Sequence, residues 1–196
     1  MTEVKYDGPV PQGEDPTVPQ ITDVWGINSS GDMVGQLVYL KNREGWNSSH
    51  GWIYDRGERR FQFFDYPGGS WTIPVDINDR GDVVGSYQPD GQIEPGPTLG
   101  FLLEKDGSYR SIAVPPEWAA QTQQTTGINS EGVMIGMYTQ EGLPHGYILY
   151  RDRFIAFDPP GAIGSLPYGI NPAGVVVGIY LSADFAVHGY MRIPKH

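Results

Sequence analysis

The chain has 196 residues, no cysteine, 27 glycines, 17 prolines and a formal net charge of −10, a size that supports one domain with a real core. The negative charge, with no Lys/Arg cluster against it, excludes nucleic acid as a reasonable partner, and the lack of cysteine removes disulfides, thiolate metal sites and a cysteine nucleophile. No apolar run reaches the roughly 18 residues of a membrane span, and MTEVKYDGPVPQGEDP has neither the basic start nor the apolar stretch of a signal peptide.

A soluble protein without a membrane partner is therefore expected. The cytoplasm is favoured over a secreted mature form, with the compartment left open.

The first predicted element is the alternating segment EVKYDGPVP (3–11), which ends like a strand closed by proline. A repeat then begins. GINSSGDMVGQLVY (26–39), DINDRGDVVGSY (76–87), GINSEGVMIGMY (127–138) and GINPAGVVVGIY (169–180) share one pattern, with Asn28, Asn78, Asn129 and Asn171 at corresponding places. Each predicts a hairpin: strand A ends at the Ile, N-x-x-G turns the chain, and strand B is the apolar run that follows. HGWIYD (50–55), LGFLLE (99–104), HGYILY (145–150) and HGYMRI (188–193) predict strand C. FQFFDYPGG (61–69), SYRSIAVPP (108–116) and FIAFDPPGA (154–162) predict strand D, stopped by proline.

The repeats run over approximately 21–67, 71–115, 122–160 and 164–193, and the last has no strand D of its own. Residues 3–7 have the pattern to supply it. The expected fold is thus all-β: a single domain over 1–196, a four-bladed β-propeller of four-stranded blades, closed by the N-terminal strand completing the last blade. An open solenoid is the alternative, but it calls for capping ends rather than a divided repeat.

The run G-I-N-x-x-G-x-V-V-G-x-Y, then H-G-Y/F, then F-x-x-x-D-x-P-G-A resembles the HAF-type repeats of many bacterial, often extracellular, proteins. The resemblance covers nearly the whole chain and implies a repeat scaffold, with no catalytic residues to carry over. The second copy departs from it, with Leu99 in place of His and VPPEW in place of Asp-x-Pro-Gly.

His50, His145 and His188 share one repeat position and invite a three-histidine metal site. If strand A is innermost, strand C lies roughly 10 Å further out, at about 4.8 Å per strand, so histidines of different blades cannot share one ion. No metal site is expected, and the histidines should bond the turn or acid of their own repeat. Asp65 and Asp158 read as strand-end turn residues, and Arg80-Gly81-Asp82 as part of the N-x-x-G turn. No motif for a cofactor or a Ser-His-Asp order is present.

The copies differ most in their B–C loops (41–49, 88–98, 139–144 and 181–187), which share one propeller face with the D–A connections carrying Trp71, Glu117 and Trp118. Just before the repeat motif, strand A carries Trp25, Val75, Thr126 and Tyr168 at one level, and Asp23, Ile73, Gln124 and Leu166 two residues earlier. One of these rings should face the axis. Unlike residues at near-symmetric positions predict a small-molecule ligand on the axial, loop-rich face, held by Trp25, Trp71, Trp118, Tyr168 and Gln124. The site would serve a binder or a cofactor-independent cyclase, isomerase or lyase with Asp23 or Glu117 as acid or base. The alternative is a non-catalytic carbohydrate- or protein-recognition module using exposed Trp46, Trp71 and Trp118.

Overall fold

The computed structural model describes residues 10–11, 13–15, 17, 20–40, 47–89 and 97–194. They form an all-β structure of fifteen strands and one short 3-10 turn, η1 (Pro116–Trp118). Four antiparallel sheets follow one another along the chain, one per repeat.

The first sheet contains β1 (Gln20–Ile27), β2 (Met33–Leu40), β3 (Asn47–Asp55) and β4 (Arg60–Phe64), and the second β5 (Gly69–Ile77), β6 (Val83–Pro89), β7 (Leu99–Leu103) and β8 (Tyr109–Ile112). A single parallel bridge, Ser49 to Trp71, links them. The third contains β9 (Thr122–Ile128), β10 (Met134–Gln140), β11 (Leu143–Tyr150) and β12 (Arg153–Phe157). The fourth has three strands: β13 (Ala162–Ile170), β14 (Val176–Ser182) and β15 (Val187–Arg192). The A strands are innermost, since β1 packs against β5, β5 against β9 and β9 against β13.

The repeat motif explains both the hairpin and the stacking. In the first copy Gly31 N–H donates to Asn28 O, and Gly31 takes φ 86°, a conformation that costs glycine little. Asn28 Oδ1 accepts from Asp32 N–H, so the side chain closes its own turn. Its Nδ2 then donates to Asn78 O of the next sheet at 3.3 Å; Asn78 does the same to Asn129 O, and Asn129 to Asn171 O. One side chain thus shapes a turn and ties it to the following sheet.

The glycine of strand B answers a close approach instead. A Cβ on Gly136 would stand 2.2 Å from Gln124 O and 2.3 Å from the Tyr147 ring, so the aromatic of strand C occupies the space that glycine leaves. Apolar cores then fill the gaps between sheets: Val34, Ile77 and Phe101 between the first and second, Val84, Leu102 and Tyr147 between the second and third, and Ile135, Ile148 and Val176 between the third and fourth.

The expected closed four-bladed ring is not present among the described residues. The packing that joins successive A strands has no counterpart of similar extent between β13 and β1. Ile27 on β1 is 64% exposed, whereas its equivalents Ile77 and Ile128 are each 4% exposed. On the other side Val177 is 47% exposed, where Val34, Val84 and Ile135 are fully covered. Among the described residues the four sheets make an arc whose first and last faces have no neighbouring sheet. Residues 3–7, the expected fourth strand of the last sheet, lie outside the described residues.

Candidate functional site

The four A strands line a cleft of about 690 Å³ on the inside of the arc. Trp25, Val75, Thr126 and Tyr168, the ring of unlike residues just before the repeat motif, all contribute to its wall. Gln124 and Ile73 line it from the level below, and Thr98 borders it where a variable B–C loop rejoins strand C. A smaller cavity of about 240 Å³ lies toward the N-x-x-G turns, lined by Asn28, Asn78 and Asn129. The two turn sets share that face, as Arg56 N–H on a C–D turn donates to Asp32 Oδ1 on an A–B turn.

Of the expected ligand contacts, Trp25, Gln124 and Tyr168 come together, and the other two do not. Trp118 packs against Tyr138 with ring centroids 4.8 Å apart and planes tilted by 35°, and meets Phe154 edge-on at 6.0 Å, covering the core of the third sheet. Trp71 sits half-buried at the start of β5, outside the cleft wall. Trp46 lies outside the described residues. Trp25 and Tyr168 are 54% and 57% exposed, so their rings border an open space rather than plug a channel.

The expected acids also separate. Glu117 is exposed on η1 and takes no part in the cleft. Asp23 stands behind the wall, where its Oδ2 accepts from Gln36 Nε2 at 2.9 Å, and Ser49 Oγ–H donates to Gln36 Oε1 at 3.1 Å. Asp23 thus orients Gln36, which does line the cleft.

The acid in the wall is Asp76, which the sequence reading passed over. It occupies the place held by Gly26, Gly127 and Gly169 in the other copies, so the one departure from glycine at that position was the available signal. Asp76 lines both cavities. Its Oδ2 accepts from Ile128 N–H at 3.0 Å across to the third sheet, and its Oδ1 from Ile77 N–H at 2.9 Å. Gly127 of the third sheet is its neighbour: a Cβ there would be in ordinary contact with Oδ2 at 3.5 Å. Burial raises the Asp76 pKa above its ordinary value, and the two N–H donors only partly offset that.

The histidines stay with their own surroundings. His145 Nδ1 is 2.8 Å from Asp158 Oδ2, whose other oxygen accepts from Ser165 Oγ at 2.7 Å. His50 Nδ1 is 2.9 Å from Asp65 Oδ2, and its Nε2 is 3.2 Å from Glu14 Oε1. His188 Nε2 lies 3.3 Å from Ser182 Oγ. Among the described residues no group of three or more His, Cys, Asp or Glu is placed to hold a metal ion, and no helix is long and apolar enough to cross a membrane.

Successive antiparallel sheets with strand A innermost and a cleft along the A strands define a β-propeller-like repeat fold. TolB from Acinetobacter baumannii, a β-propeller protein, is similar to 90% of this chain with a TM-score of 0.62 at 8% identity. The chain spans 41% of TolB. A catalytically inactive virginiamycin B lyase from Staphylococcus aureus, solved with quinupristin, matches at TM-score 0.46 and 12% identity over 89% of this chain and 57% of its own. A streptogramin B lyase matches at 0.41 and 15%, over 85% and 54%. No family model matches the chain, and no curated protein is similar to it in sequence.

Proposed function

We propose that the chain is a small-molecule-binding propeller-type protein of HAF-like repeats, whose ligand lies in the cleft along the A strands. Catalysis there would be of a cofactor-independent kind: a cyclisation, isomerisation or elimination in which the walls hold a reactive conformer and one carboxylate moves a proton. The observation that carries the reading is Asp76, a half-buried carboxylate in a cleft bordered by Trp25 and Tyr168. Raised by burial, it is better matched than an exposed acid to exchange a proton near neutral pH. Gln36, Gln124 and Thr126 supply neutral polar groups to orient a ligand.

The scaffold reading extends to the last sheet, which has three strands among the described residues. Residues 3–7, whose alternation reads as a strand, are proposed to complete it and lie outside the described residues. Further along, Glu14 Oε1 accepts from Ser48 Oγ at 2.6 Å and meets His50.

A thermal-shift screen against small aromatic and polar-edged molecules tests the cleft. A ligand that stabilises the wild type should bind Trp25→Ala and Tyr168→Ala more weakly by about 1 kcal/mol or more each, as expected of aromatic anchors. Equal binding by both variants would move the site elsewhere.

A further inference from the structure

From the cleft reading above we infer the charge class of its ligand: an organic cation carrying an aromatic or other flat apolar body, with the ammonium group against Asp76 and the flat body against Trp25 and Tyr168. The inference rests on that reading and on the composition of the wall. Among the described residues Asp76 is the single carboxylate lining the cleft, no Lys, Arg or His lines it, and the other polar groups of its wall are neutral.

The carboxylate is also available to a ligand. Each oxygen of Asp76 accepts one backbone N–H, and a carboxylate has about four lone-pair sites in all, so acceptor capacity remains on both oxygens. Among the described residues no cation neutralises it: its hydrogen-bond partners there are the main chain of Ile128 and Ile77. A half-buried negative charge gains more from a counter-ion supplied by a ligand than a fully solvated surface acid does. The flanking aromatics act in the same direction, because Trp and Tyr faces attract an ammonium within about 6 Å. An anionic ligand would meet Asp76 with like charge and find no cation to pair with. The net charge of −10 adds a weaker, salt-sensitive bias of the same sign.

Three probes separate charge from shape: tryptamine, the neutral indole-3-ethanol and anionic indole-3-acetate share one ring system and differ in the side-chain end. Calorimetric titration of the whole chain at neutral pH and moderate salt should show tryptamine binding about tenfold more tightly than indole-3-ethanol, with indole-3-acetate weakest. Asp76→Asn should erase the preference while still binding the neutral probe. Asp76→Gly restores the residue the other three copies carry and is the second variant, expected to behave alike. Asp106→Asn, at an exposed turn, removes the same charge from the surface and should leave the preference intact.

Equal or tighter binding of indole-3-ethanol by the wild type, or a tryptamine preference that survives both Asp76 variants, would overturn the cation assignment. In that event weaker binding of all three probes by Trp25→Ala would still uphold the cleft as the site. If none of the three binds, the assignment fails. If other flat ligands also bind Trp25→Ala and Tyr168→Ala as they bind the wild type, the cleft reading fails too.

Discussion

At the scale of single residues, Asp76 and His50 carry the charge chemistry, and both hold a proton more firmly in the folded chain than in the unfolded one. For Asp76 burial is the cause, so its ionisation works against the fold. The stabilising contribution of the protonated form is intact below the ordinary carboxylate value of 3.8 and is lost as pH rises through the higher folded value. Asp76→Asn gives up one of the two N–H acceptors, a loss independent of pH, so the sign to read is the trend: relative to the wild type its midpoint should rise as the buffer goes from about pH 3.8 to neutrality. If Asp76 is the proton-transfer group, the same variant should lose about 10²-fold or more in turnover. A difference between the two midpoints that does not change with pH would contradict the burial argument.

His50 behaves in the same sense for another reason: burial pulls its pKa down, but the carboxylates of Asp65 and Glu14 outweigh it and hold the imidazolium. Its contribution is present below 6.5 and fades as pH rises through the folded value above that. Denaturant titrations between about pH 6 and pH 9 should show stability declining in the wild type and a flatter profile in His50→Gln. An identical slope in both would remove His50 as the source.

At the scale of elements, the N-x-x-G turn and the strand-B glycine were legible because each repeats four times with one chemistry. What the sequence did not reveal was the second job of the asparagine, since a bond to the following sheet depends on how sheets stack. The two jobs can be separated by mutation. Asn129→Ala loses the turn bonds to Glu131 and Val133 N–H and the link to Asn171 O, and should cost about 2 kcal/mol. Asn171→Ala loses only its bond from Val175 N–H and should cost about 1 kcal/mol or less. Equal costs for the two variants would mean that neither the Glu131 turn bond nor the inter-sheet link contributes. Trp118 shows the opposite limit of sequence reading. Its place in a connection on the variable face pointed to a ligand contact, but a 3-10 turn folds it back over Tyr138 and Phe154, a path that local residue chemistry does not encode.

At the scale of the molecule, repetition specified four consecutive sheets, but it left the radial order of their strands open and did not fix the curvature of the stack. Curvature is set by the volumes that fill each gap between sheets, such as Phe101 in one and Tyr147 in the next, and a repeat pattern does not fix it. Among the described residues the arc leaves β1 and the face of β13–β15 without neighbouring sheets, and Ile27, Val177 and Met191 are exposed there. If residues 3–7 pair with β15, deleting residues 1–8 should lower stability by several kcal/mol, at roughly 25 cal/mol per Å² of apolar surface uncovered. An unchanged midpoint would show that the edge of β15 is left bare. The same arc creates the cleft, because it holds Trp25 on the first sheet, Asp76 on the second and Tyr168 on the fourth around a common space.

The central claim is that this space is the ligand site, and a crystal structure of the chain soaked with tryptamine tests it most directly. The account predicts the indole ring beside Trp25 and Tyr168, with its ammonium nitrogen within hydrogen-bond distance of an Asp76 oxygen. Tryptamine bound only on the outer rim, or an axial space filled by side chains with no bound probe, would contradict it.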